Sequence, residues 1–335
     1  MVSDAAYQSA RRHAALVDRS DRGRLVVTGP DRALYLQGLL TNDIVALNAG
    51  QGCYAAYLTP QGRMIADLFV YEIGDLMLLS TPLAAKDTVL AKLEQFIFTE
   101  DVKLGDVTGS FAQMAVVGPD AAAALARVLE GATDGALKLT GLLEHGNMRA
   151  RFAEQPVIVT RVTDTGEPGF DVYVKTAHAA ALRSALTAAG VAALDRDTAE
   201  AIRIEAGVPR FGRDMDEDTI PLEAGIETRA ISFSKGCYVG QEVIIRVLHR
   251  GHGRVARKLM GLRIESGAVP SAGTPVRDGT RDIGRVTSSA RSPAAQQPIA
   301  LAYLHRDFLT PGTTVSVDGA TAVVTELPFL HQEAN

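Results

Sequence analysis

The feature that most constrains how this chain can fold is an internal echo. Residues 25–42 read LVVTGPDRALYLQGLLTN, and residues 114–131 read MAVVGPDAAAALARVLEG. Each is an apolar, β-branched run followed by Gly-Pro-Asp and then a helical pattern. Gly29 and Gly118 allow a sharp exit from a strand. Pro30 and Pro119 suit a helix's first turn, where no amide donor is needed, and Asp31 and Asp120 set negative charge at the positive helix end. A repeated strand–turn–helix unit predicts two related subdomains. The length agrees, since 335 residues exceed the roughly 250–300 that one hydrophobic core serves.

Between the copies, strands are expected over 52–58, 64–71 and 76–80, and an amphipathic helix over 86–96. After the second copy come strands near 157–162 and 170–174, then helices over about 177–189 and 198–205. This mixture lacks a strict βαβ rhythm, so the expected class is α+β and not a doubly wound parallel sheet. From about Lys258 the pattern changes to short apolar runs such as DIGRVTSSA and PIALAYL, separated by Gly, Pro, Ser and Asp. That spacing predicts an all-β unit, a small barrel or sandwich. The boundary falls near 251–253, which divides the chain into an α+β unit over 1–250 and a β unit over 251–335. The run 291–297, RSPAAQQ, reads as a plain surface loop.

Composition narrows the function. A 47% hydrophobic, 22% charged chain is not disordered. The 34 Lys and Arg against 39 Asp and Glu, net −5, argue against coating duplex nucleic acid by charge alone. Two cysteines, Cys53 and Cys237, exclude a disulfide scaffold and a Cys-rich zinc module, and no resident metal is expected. No run approaches the roughly 20 apolar residues of a membrane span, and the charged N-terminal stretch lacks the apolar core of a secretory signal. These features predict a soluble cytoplasmic protein without membrane association.

One stretch carries the densest chemistry: Lys235, Gly236, Cys237, Tyr238, Val239, Gly240, Gln241 and Glu242. Gly236 and Gly240 bracket the cysteine in an expected tight loop, and a helix is predicted over 240–248 with Gly251 as its stop. A thiol just ahead of a helix N-terminus and near Lys235 has its thiolate favoured. A lone cysteine is more often a buried structural residue, and that is the reading for Cys53, which lies in an apolar strand-like run. Arg246 stands one turn after Glu242, placed to pair with it. Arg246, Arg250, Arg254, Arg257 and Lys258 then form a basic run interleaved with His249 and His252. Such a run suits an anionic tail or partner, or it is a solvated face.

The run KGCYVGQE, with Arg246 after it, resembles the signature of the YgfZ family, folate-binding proteins related to the glycine-cleavage T-protein. The likeness extends in order through QGLLTND, LTPQGRMIADLFVY, TGEPGFDVYV, RIEAGVPRFGRDMDEDTIPLEAGI, IGRVTSSARSP, IALAYL and LPF. It implies two interlocked, duplicated α+β subdomains around a central folate-sized hole, plus a C-terminal β-barrel.

The resemblance also implies a ligand, tetrahydrofolate or a derivative. A pterin presents adjacent N–H donors that match a carboxylate, so a folate site should hold a buried Asp or Glu. A Glu of the T-protein family that contacts ligand falls here at Asp171, which also reads as a strand-edge residue facing water. Glu205 and Glu223 are further acidic candidates, and Arg246, Arg250 and Arg254 are candidates for the folate's glutamate tail. The T-protein's Asp-Asp pair reads Ala66-Asp67, leaving Asp67 for acid–base work, and an Arg of that family falls at Ala199. The leading expectation is therefore a folate-binding accessory protein that supports iron–sulfur cluster assembly or maintenance, and through cluster enzymes tRNA modification. Cys237 is its functional thiol and Lys235 its neighbour. Assembly factors or cluster enzymes are the expected partners, with direct tRNA contact and turnover left open. The alternatives are a folate-dependent, aminomethyltransferase-like one-carbon transferase and an interaction module without a ligand.

Overall fold

Both copies of the echo fold as strand, turn and helix in the computed structural model, which describes residues 2–131, 135–249, 253–265 and 267–330. The chain opens with α1 (Asp4–Arg12) and β1 (Ala15–Asp18), then the first copy, β2 (Arg22–Thr28) and α2 (Arg32–Leu39). There follow β3 (Gly52–Leu58), β4 (Met64–Glu72), β5 (Met77–Pro82), α3 (Lys86–Glu94) and β6 (Lys103–Asp106). The second copy is β7 (Phe111–Val117) and α4 (Ala121–Val128). After it come α5 (Gly135–Thr140), β8 (Asn147–Phe152), β9 (Gln155–Val162), β10 (Gly169–Lys175), α6 (Ala179–Ala188) and β11 (Ala192–Ala193). Next are α7 (Arg196–Glu205), α8 (Pro221–Ala224), α9 (Glu227–Ala230) and α10 (Gln241–His249). The chain ends in β12 (Arg257–Ile264), β13 (Pro275–Asp278), β14 (Arg281–Ser292), β15 (Gln297–His305), β16 (Thr314–Val317) and β17 (Ala320–Thr325).

The two glycines of the echo are needed for the reason read from the sequence. Gly29 and Gly118 take φ of +104° and +111°. A Cβ would lie 2.0 Å from the Asp101 oxygen at Gly29, and 2.4 Å from the His13 oxygen at Gly118. The acids act differently from the expectation. Asp31 and Asp120 occupy the N-cap positions, but neither side chain caps its own helix. Asp31 instead accepts from the Asp101 amide at 2.8 Å, and Asp120 meets His13. The prolines lie just ahead of the first helical residue, not within the first turn.

The first sheet runs β3-β4-β5-β2-β6 and the second β11-β1-β7-β10-β9-β8. All pairings in them are antiparallel except β1 with β11, which fits the α+β class. The halves interlock because the chain crosses between them three times. β1 precedes the first sheet in sequence yet belongs to the second. Beyond α7 the chain returns, and Phe211, Leu222, Ile226, Tyr238 and Ile244 bury themselves in the first core. The last six strands close a barrel in the order β12-β15-β14-β13-β16-β17, filled by Leu262, Val276, Val286, Ala302 and Val324.

α7 joins the parts. Ile202 packs against α1 and β1, while Ala201 and Ile204 pack against Leu259, Ile299 and Leu301 of the barrel. The expected surface loop over 291–297 is a tighter feature than its polarity suggests. Ser292 ends β14 fully buried, donating to Glu205. Of the expected boundary near 251–253, only Gly253 lies within the described residues.

Candidate functional site

A cavity of about 470 Å³ opens between the first sheet, the β1–β2 turn, Asp164 after β9, α7 and the segment 208–213. Pockets of roughly 300–1,000 Å³ are the size that encloses a small organic ligand. β4 supplies its floor. Successive strand residues point to opposite faces, so Asp67 and Phe69 line the cavity. Ala66, Leu68 and Val70 pack instead in the first core. Position 66 therefore faces away from the cavity, and its alanine removes nothing from the cavity wall.

Asp67 is 5% exposed. Its Oδ2 accepts from the Tyr54 hydroxyl of β3 at 2.8 Å. Its Oδ1 is buried with no protein partner, the position of an acceptor waiting for a donor. Burial pushes the Asp67 carboxyl up from the ordinary range, with Arg22 and the Tyr54 hydrogen bond opposing. Much of the rest of the wall is cationic, mixed with apolar residues such as Leu83, Val208 and Phe211. Arg22 lies over the Phe69 ring at 5.1 Å and Arg229 over the Tyr54 ring at 5.2 Å. Arg19 and Arg210 complete it, against Asp21 and Asp164. A cavity with one buried carboxyl and several guanidiniums can hold a ring rich in N–H donors together with an anionic group.

Asp171 is not part of that wall. It lies on β10 at 2% exposure, accepting from Arg19 Nε at 3.2 Å and from Gln113 Nε2 at 2.8 Å. Arg19 spans two carboxylates, since its Nη2 donates to Asp164. Burial works against the charge on Asp164, but Arg19, Arg22 and Arg210 outweigh it and hold its carboxyl below the ordinary range. Asp171 is pushed upward, by burial first. Asp164, not Asp171, is the acid of this pair that lines the cavity. The sequence reading missed Asp164 along with Arg19 and Arg22. For Arg22 alone a signal was available, its place in the strand-like run RGRLVV, because a cation in an apolar strand needs a buried polar partner, here Ser80.

The other acidic candidates also lie elsewhere. Glu205 is fully buried, where it takes Tyr7 at 2.8 Å, Arg11 and Ser292, and so ties α1 and the barrel to α7. Glu223 on α8 accepts from Arg257 of the barrel at 3.2 Å. Both carboxylates are committed to joining elements, and neither reaches the central cavity. The described members of the basic run are likewise outside it. Arg246 is exposed on α10 and pairs with Glu242 at 2.6 Å, as its spacing predicted. Arg254 is exposed, and Arg250 and His252 lie outside the described residues.

The KGCYVGQE segment docks between α2 and the turn after β3. The Lys235 ammonium donates to the carbonyls of Gln37, Leu40 and Asn42 at 2.6, 2.6 and 2.8 Å. That places a cation at the negative end of α2. Its three donors are thereby engaged on the carbonyls at the end of α2, which leaves Cys237 no hydrogen bond from Lys235. Burial brings Lys235 down to about 8. Tyr238 is buried beneath it, with the ammonium 5.2 Å from the ring centroid. The Val239 amide donates to the Gly38 carbonyl. Gly240 has φ of +85°, and a Cβ there would lie 2.5 Å from the Thr59 oxygen. Gly236 has no such neighbour, so only one glycine of the bracket is sterically required. Gln241 and Glu242 form the first turn of α10. Cys237 is exposed, while Cys53 is buried and pushed up to about 12 by that burial. Among the described residues, no three His, Cys, Asp or Glu side chains are placed to hold a metal ion, and no helix is long and apolar enough to cross a membrane.

Comparison with known proteins agrees with this architecture. Residues 2–235 match the GCVT N-terminal domain, and residues 257–330 match the glycine cleavage T-protein C-terminal barrel domain. The chain is 32% identical to an aminomethyltransferase of Rubrobacter xylanophilus, over 99% of this chain and 87% of the relative. It is 33% identical to an aminomethyltransferase of Streptomyces coelicolor, over 93% and 84%. Among solved structures it is similar to the glycine cleavage system aminomethyltransferase T from Bartonella henselae. That match has a TM-score of 0.87 and 25% identity, covering 98% of this chain and 89% of the other.

Proposed function

This chain belongs to the glycine cleavage T-protein family, and from that premise we propose that it binds tetrahydrofolate or a derivative in the central cavity. We further propose that it acts through Cys237 as a YgfZ-like accessory protein in the cytoplasm. In that role it supports iron–sulfur cluster assembly or maintenance and, through cluster enzymes, tRNA modification. Residues 1–250 form the folate-binding unit in this reading, and 251–335 the barrel that closes against it.

The observation that carries the proposal is the exposed thiol of Cys237 on a segment fastened to the fold by Lys235, Val239 and Gly240. Iron–sulfur clusters are generally held by four ligands, mostly thiolates. One exposed cysteine can contribute one of them, so the remaining ligands come from a partner, which is the logic of an accessory protein and not of a resident cluster. Within the cavity, Asp67 Oδ1 offers an acceptor to pterin donors, and Arg22, Arg210 and Arg229 suit the carboxylates of the glutamate tail. The test is calorimetric titration with tetrahydrofolate, its 5-formyl form and an unrelated pterin. It is joined to rescue of cluster-enzyme activity, in cells lacking the protein, by the parent and by Cys237→Ser. Full rescue by Cys237→Ser refutes the accessory mechanism.

A second reading, one-carbon transfer from an aminomethyl donor, is favoured by Asp67 itself. The carboxyl of the Ala66-Asp67 pair that faces the cavity is the one retained, and its raised affinity for a proton suits acid–base work. Production of methylenetetrahydrofolate with the glycine-cleavage partner proteins, lost in Asp67→Asn, would establish this reading over the first.

A further inference from the structure

On the outer face of α2 the molecule leaves large apolar side chains in water. Leu34 is 72% exposed, Phe98 78% and Phe96 40%. Together with Tyr35, Leu39 and Val239 they line a groove of about 480 Å³ that shares no lining residue with the central cavity. Contiguous apolar surface of this kind marks an interaction site.

The groove is built, not a frayed loop. Its far wall, residues 96–100, is tied at both ends. The Tyr35 hydroxyl donates to the Leu93 carbonyl at 2.5 Å, and the Phe96 amide donates to the same carbonyl at 3.0 Å. The Glu100 carboxylate accepts from the amides of Phe98 and Thr99 at 2.8 and 3.0 Å, and Asp31 accepts from the Asp101 amide. Two phenylalanines are therefore presented on a pre-organised backbone, which lowers the ordering penalty of binding.

Two observations select the occupant. First, the amides of 98, 99 and 101 are already engaged, so the groove offers side chains and not a free backbone ladder. That fits an amphipathic helix with anchors at i, i+3, i+4 and i+7 better than an added strand. Second, the charged groups lining the groove are both acids, Asp31 and Glu100, with Asp101 next to Glu100 in the chain and Glu94 close enough to act on Tyr35. Among the described residues none of the four is in an ion pair with a cation. We propose that this groove is a docking site for a basic amphipathic helix of a protein partner. Val239 lies two residues from Cys237, so the docked helix sits beside the exposed thiol. The docking itself does not depend on folate binding or on cluster chemistry.

The experiment uses the full chain and fluorescein-labelled peptides with Leu, Phe or Met anchors at helical spacing and lysines on the other face. A matched set carries glutamates in place of lysines. Fluorescence anisotropy should show saturable binding of a basic peptide that weakens as salt rises, because exposed charges are screened over about 8–10 Å. Leu34→Ser and Phe98→Ser, both at exposed positions, should keep the parent's thermal midpoint and lose at least tenfold in affinity. Absence of saturable binding by every basic peptide overturns the proposal, as does equal binding of the acidic set. Unchanged affinity in both variants overturns it as well. Sedimentation of the parent showing self-association that Phe98→Ser abolishes overturns it too, because a second copy then covers the groove.

Discussion

Asp171→Asn separates a residue that holds the cavity from one that meets its contents. The carboxylate lies at the junction of β10, β7 and the β1–β2 turn, and the substitution keeps its size. It removes the charge that faces Arg19 Nε at 3.2 Å, where both side chains are almost wholly buried. A hydrogen bond to a charged group contributes about 1.5–3 kcal/mol, and Arg19 keeps its second carboxylate, Asp164. The Gln113 amide now faces an amide donor where it had donated at 2.8 Å, but it can turn over. Ser80 Oγ lies 3.4 Å from both of its terminal atoms and accepts either orientation. Burial outweighs pairing for the Asp171 charge, as its raised carboxyl shows, so relief from burying it offsets most of the loss and the net destabilisation is about 0.5–1 kcal/mol. Urea unfolding at neutral pH should show a lowered midpoint with an unchanged slope. Calorimetric titration with tetrahydrofolate should give an affinity within about twofold of the parent, a difference of roughly 0.4 kcal/mol. A tenfold loss of affinity with an unmoved midpoint would refute the reasoning and return Asp171 to the ligand.

Asp67→Asn should do the reverse. The amide oxygen still accepts from Tyr54, so stability is held or slightly raised, while tetrahydrofolate affinity falls by more than about 1 kcal/mol on titration; intact affinity removes Asp67 from the site. Lys235→Met leaves three carbonyls without their cation and should lower stability by roughly 1–2 kcal/mol. Urea unfolding checks this, and an unmoved midpoint would mean that Lys235 does not fasten the segment. His145 gives a pH signature. Burial, then the charge of Arg229, lowers its ring to about 4 from an ordinary 6.5. A depressed folded-state value means that its contribution is complete above pH 6.5 and is lost as pH falls through 4, roughly 3 kcal/mol in all. The urea midpoint of His145→Gln should fall less than the parent's across that window, and parallel falls would refute the assignment.

What was legible in the sequence follows from which interactions are local. The apolar run 52–58 and the echo around Gly29 and Gly118 carry their conformation in their own residues, and they fold as read. So does the Glu242–Arg246 pair, which needs only one helical turn. Asp164 was not legible because its partner Arg19 is 145 residues away, brought to it by the entry of β1 into the second sheet. Glu205 misled for the same reason. Its neighbours in sequence say helix end, while its partners Tyr7, Arg11 and Ser292 come from both ends of the chain. The strand around the Ala66-Asp67 pair was legible, and its period of two carries both faces: position 67 lines the cavity and position 66 turns into the core.

The signature segment can be divided into what its docking explains and what it does not, and the remainder points at the thiol. Lys235 fastens it to α2, Tyr238 buries, Val239 bonds to Gly38, and Gly240 passes close to Thr59. These four have structural reasons to be what they are. Gly236 and Cys237 do not, since Gly236 has open space around it and Cys237 is exposed. Gly240→Ala forces a side chain into a positive φ and against a backbone oxygen, so it should destabilise by about 1–3 kcal/mol. Gly236→Ala should leave the unfolding midpoint within about 0.5 kcal/mol of the parent. If its glycine exists to keep the approach to Cys237 open, Gly236→Ala should nonetheless slow alkylation of Cys237 by a bulky maleimide more than by iodoacetamide. Equal slowing with both reagents, or none with either, would mean that position 236 does not govern access to the sulfur.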